Sequence, residues 1–184
     1  MNTEKNKVFG VYMPSILTLK VGLHIQHVGS MLKQNLEKAL SYKIEGKCIA
    51  EGYIKPSSSK IVSYSSGNVN GEMIEFQVVF ECLICQPVEG MLIDCKVKTI
   101  TKAGIHAEVI DNEGNIPLTI FVARDHHISD KFFSNIKDNA TIKVSTIGTR
   151  FELNDPYISV IAKLVEVYNE NEDKKLKPAI IVND

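Results

Sequence analysis

Lys96, Lys98 and Lys102 stand at even spacing in a stretch that reads as extended. At a period of two, Lys96 and Lys98 share one face of a strand, and Lys102 stays on that face if no bulge intervenes. Ammonium groups aligned in this way suit a phosphate backbone. The rings of His106 and Phe121, further along, suit a stacked base. Arg124, Lys143 and Arg150 are further candidates for phosphate contact. The chemistry on offer is therefore capture of a single-stranded nucleic acid. The competing account is a strand whose lysines merely face solvent.

Other reactive residue types carry less. Cys82-x-x-Cys85 could be half a zinc site or a redox pair, but a structural zinc takes four ligands and the second pair is missing. The surrounding Phe76–Cys85 reads as a strand, where positions three apart point to opposite faces, so both cysteines read as packing residues. His126 and His127 are adjacent on an extended segment and face apart. His24 and His27 flank the start of a helix and would need carboxylates or thiols to hold a metal. There is no G-x-S-x-G elbow, Walker loop, H-E-x-x-H or G-x-G-x-x-G. Without a nucleophile, base and orienting group together, neither catalysis nor a metal or cofactor is expected.

Behind these residues lies a chain of 184 amino acids with a formal net charge of -1. That length suits one ordinary domain or two small ones. The charge excludes a histone-like coat, although not a local basic strip. An apolar fraction of 44% excludes wholesale disorder. No window approaches the ~18 apolar residues of a membrane helix. Met1–Lys7 has no apolar signal core, and the four cysteines make no disulfide framework, so an intracellular setting is expected. The 22 isoleucines, 13 asparagines and 19 lysines against two arginines resemble coding from an AT-rich genome.

The elements that must hold the candidate residues follow from periodicity. Val8–Tyr12 and Ser15–Ile25 look extended, with Leu17, Leu19, Val21 and Leu23 alternating. A helix is expected over 30–43, with Ser30 as N-cap, Leu32, Leu36 and Leu40 on its apolar face, and Gly46 just past its end. From there the chain reads as β. Lys47–Ile54 and Lys60–Ser65 are strands around a Pro56–Ser59 turn, Ser65–Gly71 is a polar loop, and Glu72–Cys85 is a long strand. Pro87 breaks ladder pairing, which places a domain boundary near Gln86. Five short strands follow: Met91–Thr101, Gly104–Ile110, Ile116–Val122, Thr141–Arg150 and Tyr157–Val167. The insert Asp125–Asp138 after the third is the pattern of an OB barrel. The tail 169–184 is charged, with Ala179–Val182 a candidate for pairing at a sheet edge. Residues 1–86 carry nine basic and seven acidic residues, whereas 87–168 carry nine and eleven.

Over residues 8–168 the chain resembles the larger stalk subunit of multisubunit DNA-directed RNA polymerases, the family of polymerase II subunit seven and its archaeal counterpart. The resemblance rests on ordered motifs. Leu23-His24, Val28-Gly29 and the helix with Leu32, Leu36 and Leu40 look like the family's first helix and its lead-in. Ile44-Glu45-Gly46-Lys47-Cys48 is similar to V-E-G-x-C. Phe80, Pro87, Gly90 and Asp94 resemble F-x-P-x-x-G-x-V-x-D with extra residues inserted. Ile147-Gly148-Thr149-Arg150, then Asn154-Asp155, resembles V-G-T-R-x-x-x-N-D and is the most specific of these.

The resemblance implies an α+β and β architecture. Residues 1–86 would be an N-terminal tip domain, a bent antiparallel sheet with one main helix, and 87–168 an OB-fold barrel of the ribosomal-S-one type. It implies a non-catalytic subunit that docks on the polymerase core, forms a heterodimer with a smaller helical stalk partner and guides nascent RNA. The docking residues would be Lys20, Leu23, His24 and Gln26 in one loop, and Ser65, Gly67 and Asn68 in another. The RNA contacts would be Lys96, Lys98, Lys102, His106, Phe121, Lys143 and Arg150. The family's aromatic-Gly-x-aromatic turn here reads Ala103-Gly104-Ile105-His106, so RNA binding is expected to be weak and salt-sensitive. The setting would be the nucleus, or the virion or cytoplasmic factory of a large DNA virus. The alternative is a free-standing OB-fold RNA-binding protein, as in translation.

Overall fold

The computed structural model describes residues 10–127 and 136–168. Expectations for Val8 and Phe9, most of the insert after the third barrel strand, and the tail with Ala179–Val182 lie outside the described residues. The chain divides into two compact units. One runs to Gln86 and includes Glu152–Pro156, and the other comprises Pro87–Phe151 and the chain from Tyr157 on.

In the first unit, β1 (Tyr12–His24) and β6 (Met73–Cys85) pair antiparallel over thirteen residues. The extended stretch therefore passes through Pro14 instead of breaking there. The physical reason is on the facing residue. Leu83, opposite Pro14, donates its N–H to Ser58 Oγ (3.1 Å) and accepts from Lys55 N–H (2.9 Å) on its other side. Proline thus occupies a position where no ladder bond is asked of it. Along the other edge of β6 lie β5 (Asn68–Asn70), β4 (Lys60–Tyr64) and β3 (Gly52–Ile54), the last paired with β2 (Cys48–Ile49).

Two expectations change here. Lys47–Ile54 is a hairpin and not one strand, because Ala50-Glu51 turns the chain and Gly52 sits at φ +138°, 2.4 Å from the Cys85 carbonyl oxygen as measured from an added Cβ. Ser65–Gly71 is not a free loop. It anneals to β6 through β5, and Ser65 adds two further hydrogen bonds to Gln77: its N–H donates to the Gln77 carbonyl (2.9 Å) and its Oγ accepts from the Gln77 N–H (3.0 Å).

The helix α1 spans Leu32–Ile44. Its N-cap is Met31, not Ser30, and no side chain caps it. Asn35 instead donates its side-chain amide to the His27 carbonyl (2.8 Å). Leu36, Leu40 and Ile44, spaced by four, are buried against Val21, Leu23, Ile61, Phe76, Val78 and Phe80. Each contributes about 1.5–3 kcal/mol by leaving water. Gly46, at φ +68°, ends the helix.

The second unit is a closed five-stranded barrel: β7 (Leu92–Ile100), β8 (Gly104–Val109), β9 (Leu118–Ala123), β10 (Thr141–Arg150) and β11 (Ile158–Tyr168). The order is β7-β8-β9-β11-β10 with β10 closing onto β7, and β9 runs parallel to β11. This is the OB-type barrel that the strand spacing indicates. Every other side chain points inward; Ile105, Leu118, Ile120, Ile142 and Ile158 are fully enclosed. A 3-10 turn, Arg124–His127, follows β9, so the His126-His127 backbone is helical and not extended.

Candidate nucleic-acid interface

The outward face of the barrel is set by register. His106 on β8 stands directly across from Phe121 on β9, and Phe121 across from Ile161 on β11. Ile161 in turn faces Gly148 on β10. The His106 and Phe121 rings lie 4.8 Å apart between centroids, tilted by 45°. The close approach needs Gly104. A Cβ there would lie 3.0 Å from the Phe121 ring and 2.3 Å from the Val122 carbonyl oxygen. The glycine of the Ala103–His106 turn thus seats a ring supplied by the neighbouring strand.

The lysines divide differently from their spacing. A β-bulge falls between Val97 and Thr99, with Lys98 as the extra residue, so Thr99 and not Lys98 stands opposite His106. The bulge reverses the outward phase. Lys102 therefore does not continue the strip, and lies exposed in the turn closed by the Thr101 N–H donating to the Gly104 carbonyl (2.8 Å). Lys96 keeps an outward place opposite Glu108, and Lys98 forms an ion pair with that same Glu108. Lys143 points outward, two positions from Thr141, the partner of Lys96, but its ammonium is already engaged. It is held between Asp94 (3.9 Å) and Glu166 (3.5 Å) and over the Tyr168 ring (5.4 Å), and Tyr168 donates to Asp94 (3.1 Å). The Tyr168 hydroxyl, then Asp94 and Glu166, hold the Lys143 ammonium above its usual range. Arg150 sits at the end of β10 across from Ser159. Arg124 reaches back to the β7–β8 turn, its backbone N–H donating to the Ala103 carbonyl (3.0 Å).

Sequence reasoning missed two residues here. Ile161 is 51% exposed although apolar, and Lys163, two positions on, is exposed on the same face. Their neighbourhood with Phe121 depends on a parallel pairing of strands forty residues apart, which local periodicity does not report.

The cysteines are all free and buried. Cys82 faces the core with Phe80 and Ile84, and burial pushes the thiols of Cys48 and Cys82 up to about 11 and those of Cys85 and Cys95 to about 12. Nucleophilic thiolate is correspondingly scarce. Among the described residues no three His, Cys, Asp or Glu side chains cluster as metal ligands would.

In the first unit, the stretch expected as a loop from Lys20 is strand through His24, followed by the 3-10 turn Ile25–His27. Lys20 pairs with Glu75 (3.2 Å), which holds the Glu75 carboxyl below its usual range. Leu23 is a correction: alternation turns it inward, it is buried in the core and it offers no contact surface. His24 accepts from the Gln26 N–H (3.3 Å) and lies 3.5 Å from Glu72. Ser65, Gly67 and Asn68 are exposed, with the Gly67 backbone pressed on Ile74 and Phe76. His24, Asn70 and Met73 meet at one end of the sheet, with exposed Ile25 and Val69 beside them. Two of the sequence motifs also meet. Cys48 donates its N–H to the Asp155 carbonyl, and Asn154 donates to the Cys48 carbonyl, both at 2.8 Å.

No protein-family model matches the chain. It is 31% identical over 182 residues to the putative DNA-directed RNA polymerase subunit L376 of Acanthamoeba polyphaga mimivirus, across 89% of this chain and 87% of that protein. To the DNA-directed RNA polymerase II subunit rpb7 of Schizosaccharomyces pombe it is 25% identical over 169 residues, 83% and 94% of the two chains. To DNA-directed RNA polymerase II subunit 7 of Arabidopsis thaliana it is 26% identical over 153 residues, 74% and 84% of the two.

Proposed function

The chain belongs to the DNA-directed RNA polymerase subunit family that includes polymerase II subunit 7, and from that premise we propose that it is the larger, non-catalytic stalk subunit of such an enzyme. It bridges the polymerase core and a smaller helical partner, and its barrel face accompanies exiting RNA. The observation that carries the reading is identity at near full length to a polymerase subunit, joined to an OB-type barrel with a ring pair on one face. Residues 1–86 act as the docking domain and 87–168 as the RNA-facing one.

Core docking uses the end of the first sheet, where the apolar side chains of Ile25, Val69 and Met73 are exposed beside His24, Gln26 and Asn68. An exposed apolar group rimmed by polar residues is the composition of a protein contact. The closer identity to the viral relative favours the virion or cytoplasmic factory of a large DNA virus over the nucleus. RNA capture is modest, because Lys98 is already paired and the turn carries Ala103 and His106 where the family has its two aromatic residues.

The test is affinity purification of the tagged full chain from its native extract. The expected eluate contains the two largest polymerase subunits and one small helical protein. Replacing Ile25 and Val69 by aspartate should lose the large subunits and leave the barrel's RNA binding unchanged. An eluate of ribosomal or translation proteins would instead support the free-standing RNA-binding account.

A further inference from the structure

We propose that the RNA path does not end on β8 and β9 but crosses onto β11, where Ile161 carries a base or sugar and Lys163 a phosphate. This rests on the RNA-facing role proposed above. The first support is the register. His106, Phe121, Ile161 and Gly148 form one outward row across four adjacent strands. At about 4.8 Å between strands the row spans roughly 14 Å, room for more than the two bases that the ring pair can stack.

The second support is the emptiness of the far end. A Cβ at Gly148 would meet nothing within 4 Å, so the row opens onto bare backbone where a ribose can lie. The third is charge. The barrel half carries more acids than bases, yet the outward residues of β9 and β11 along this stretch, Thr119, Phe121 and Ala123 beside Ser159, Ile161 and Lys163, include no carboxylate. Glu166, the next acid on β11, is taken by Lys143. Lys163 makes no ion pair among the described residues, unlike Lys98 and Lys143. A largely apolar row with an ammonium beside it on β11, where the nearest acid across β9, Glu108, is already paired with Lys98, fits a polyanion with stackable bases.

The experiment measures binding of a short oligouridylate to the full chain across a salt series. Phe121→Ala tests the underlying reading and should weaken binding by about 5- to 150-fold, the loss of one stack. Ile161→Ala should weaken it by roughly fivefold, a partial loss of apolar contact. Lys163→Gln should flatten the log affinity against log salt slope by about 0.7, one phosphate contact on a single strand. Gly148→Glu, at a position with open space, should weaken binding without loss of fold. If Phe121→Ala weakens binding while Ile161→Ala and Lys163→Gln change nothing, the path stops at β9 and this inference is wrong. If Phe121→Ala also changes nothing, the RNA reading falls and takes the inference with it. If Ile161→Ala instead releases polymerase subunits with RNA affinity intact, the row is a protein contact.

Discussion

Replacing Gly104 by alanine tests the ring platform at its narrowest point. The added methyl would sit 2.3 Å from the Val122 carbonyl oxygen and 3.0 Å from two atoms of the Phe121 ring. Ordinary contact begins near 3.4 Å, so the backbone at the β8–β9 pair must open by about 1 Å. A side-chain rotation cannot relieve it, because the nearer obstacle is main chain. Forced insertion of this kind costs about 1–3 kcal/mol. The stiffer unfolded chain returns about 0.4–1 kcal/mol, since Gly104 does not occupy the left-handed region. The net is a loss on the order of 1–2 kcal/mol, or about tenfold in the opening equilibrium of the barrel.

Cys95 reports on that unit alone, because it is inside β7 while Cys48, Cys82 and Cys85 belong to the first unit. The assay is the rate of Cys95 labelling, read by mass spectrometry, beside oligouridylate affinity. Gly104→Ala should speed labelling about tenfold and weaken RNA binding as the Phe121 ring is displaced. Adding Phe121→Ala should relieve the ring contact but not the carbonyl contact, so labelling stays fast. Unchanged labelling and unchanged affinity in Gly104→Ala would refute the close approach and with it the seating of Phe121.

Lys143→Met should leave the salt slope of RNA binding where it is, since Asp94 and Glu166 already engage that ammonium, whereas Lys96→Gln should lower the slope by about 0.7; equal effects would make Lys143 a phosphate contact in spite of those partners. The raised thiols predict a pH dependence of stability. Unfolded thiols ionise near 9.0 and the folded ones only at about 11 to 12. Stability is therefore level below pH 9 and falls as pH rises towards 11, on the order of 1 kcal/mol per thiol per pH unit. Cys85→Ala should make the decline in denaturation midpoint shallower, and an unaltered slope would contradict the burial argument.

The barrel is legible because each of its strands alternates and is bounded by turn residues; β10 runs from Thr141 to Arg150, the same span the alternation marks. The helix is legible through Leu36 and Leu40, but its cap is not, since Ser30 is a good capping residue standing one position before the actual N-cap, Met31. Lys102 misleads because a bulge of one residue at Lys98 has no sequence signature yet inverts every later position. Ser65–Gly71 looks like a loop because it is polar and glycine-bearing. Of its two glycines, Gly67 lets the backbone press on Ile74 and Phe76. Lys143, Ile161 and Lys163 are misread or missed for one reason. Asp94 lies 49 residues before Lys143, and Phe121 forty before Ile161, so their environments are made by nonlocal strand pairing.

The central claim is that this barrel face lies beside RNA within an assembled polymerase. Photo-crosslinking in a stalled elongation complex tests it most directly, with a photoreactive side chain placed in turn at positions 121, 163 and 143 of the full chain. The account predicts crosslinks to the nascent transcript from 121 and 163 and none from 143. Crosslinks from 143 alone, or none to RNA from 121 and 163 in a complex that retains the subunit, would contradict it.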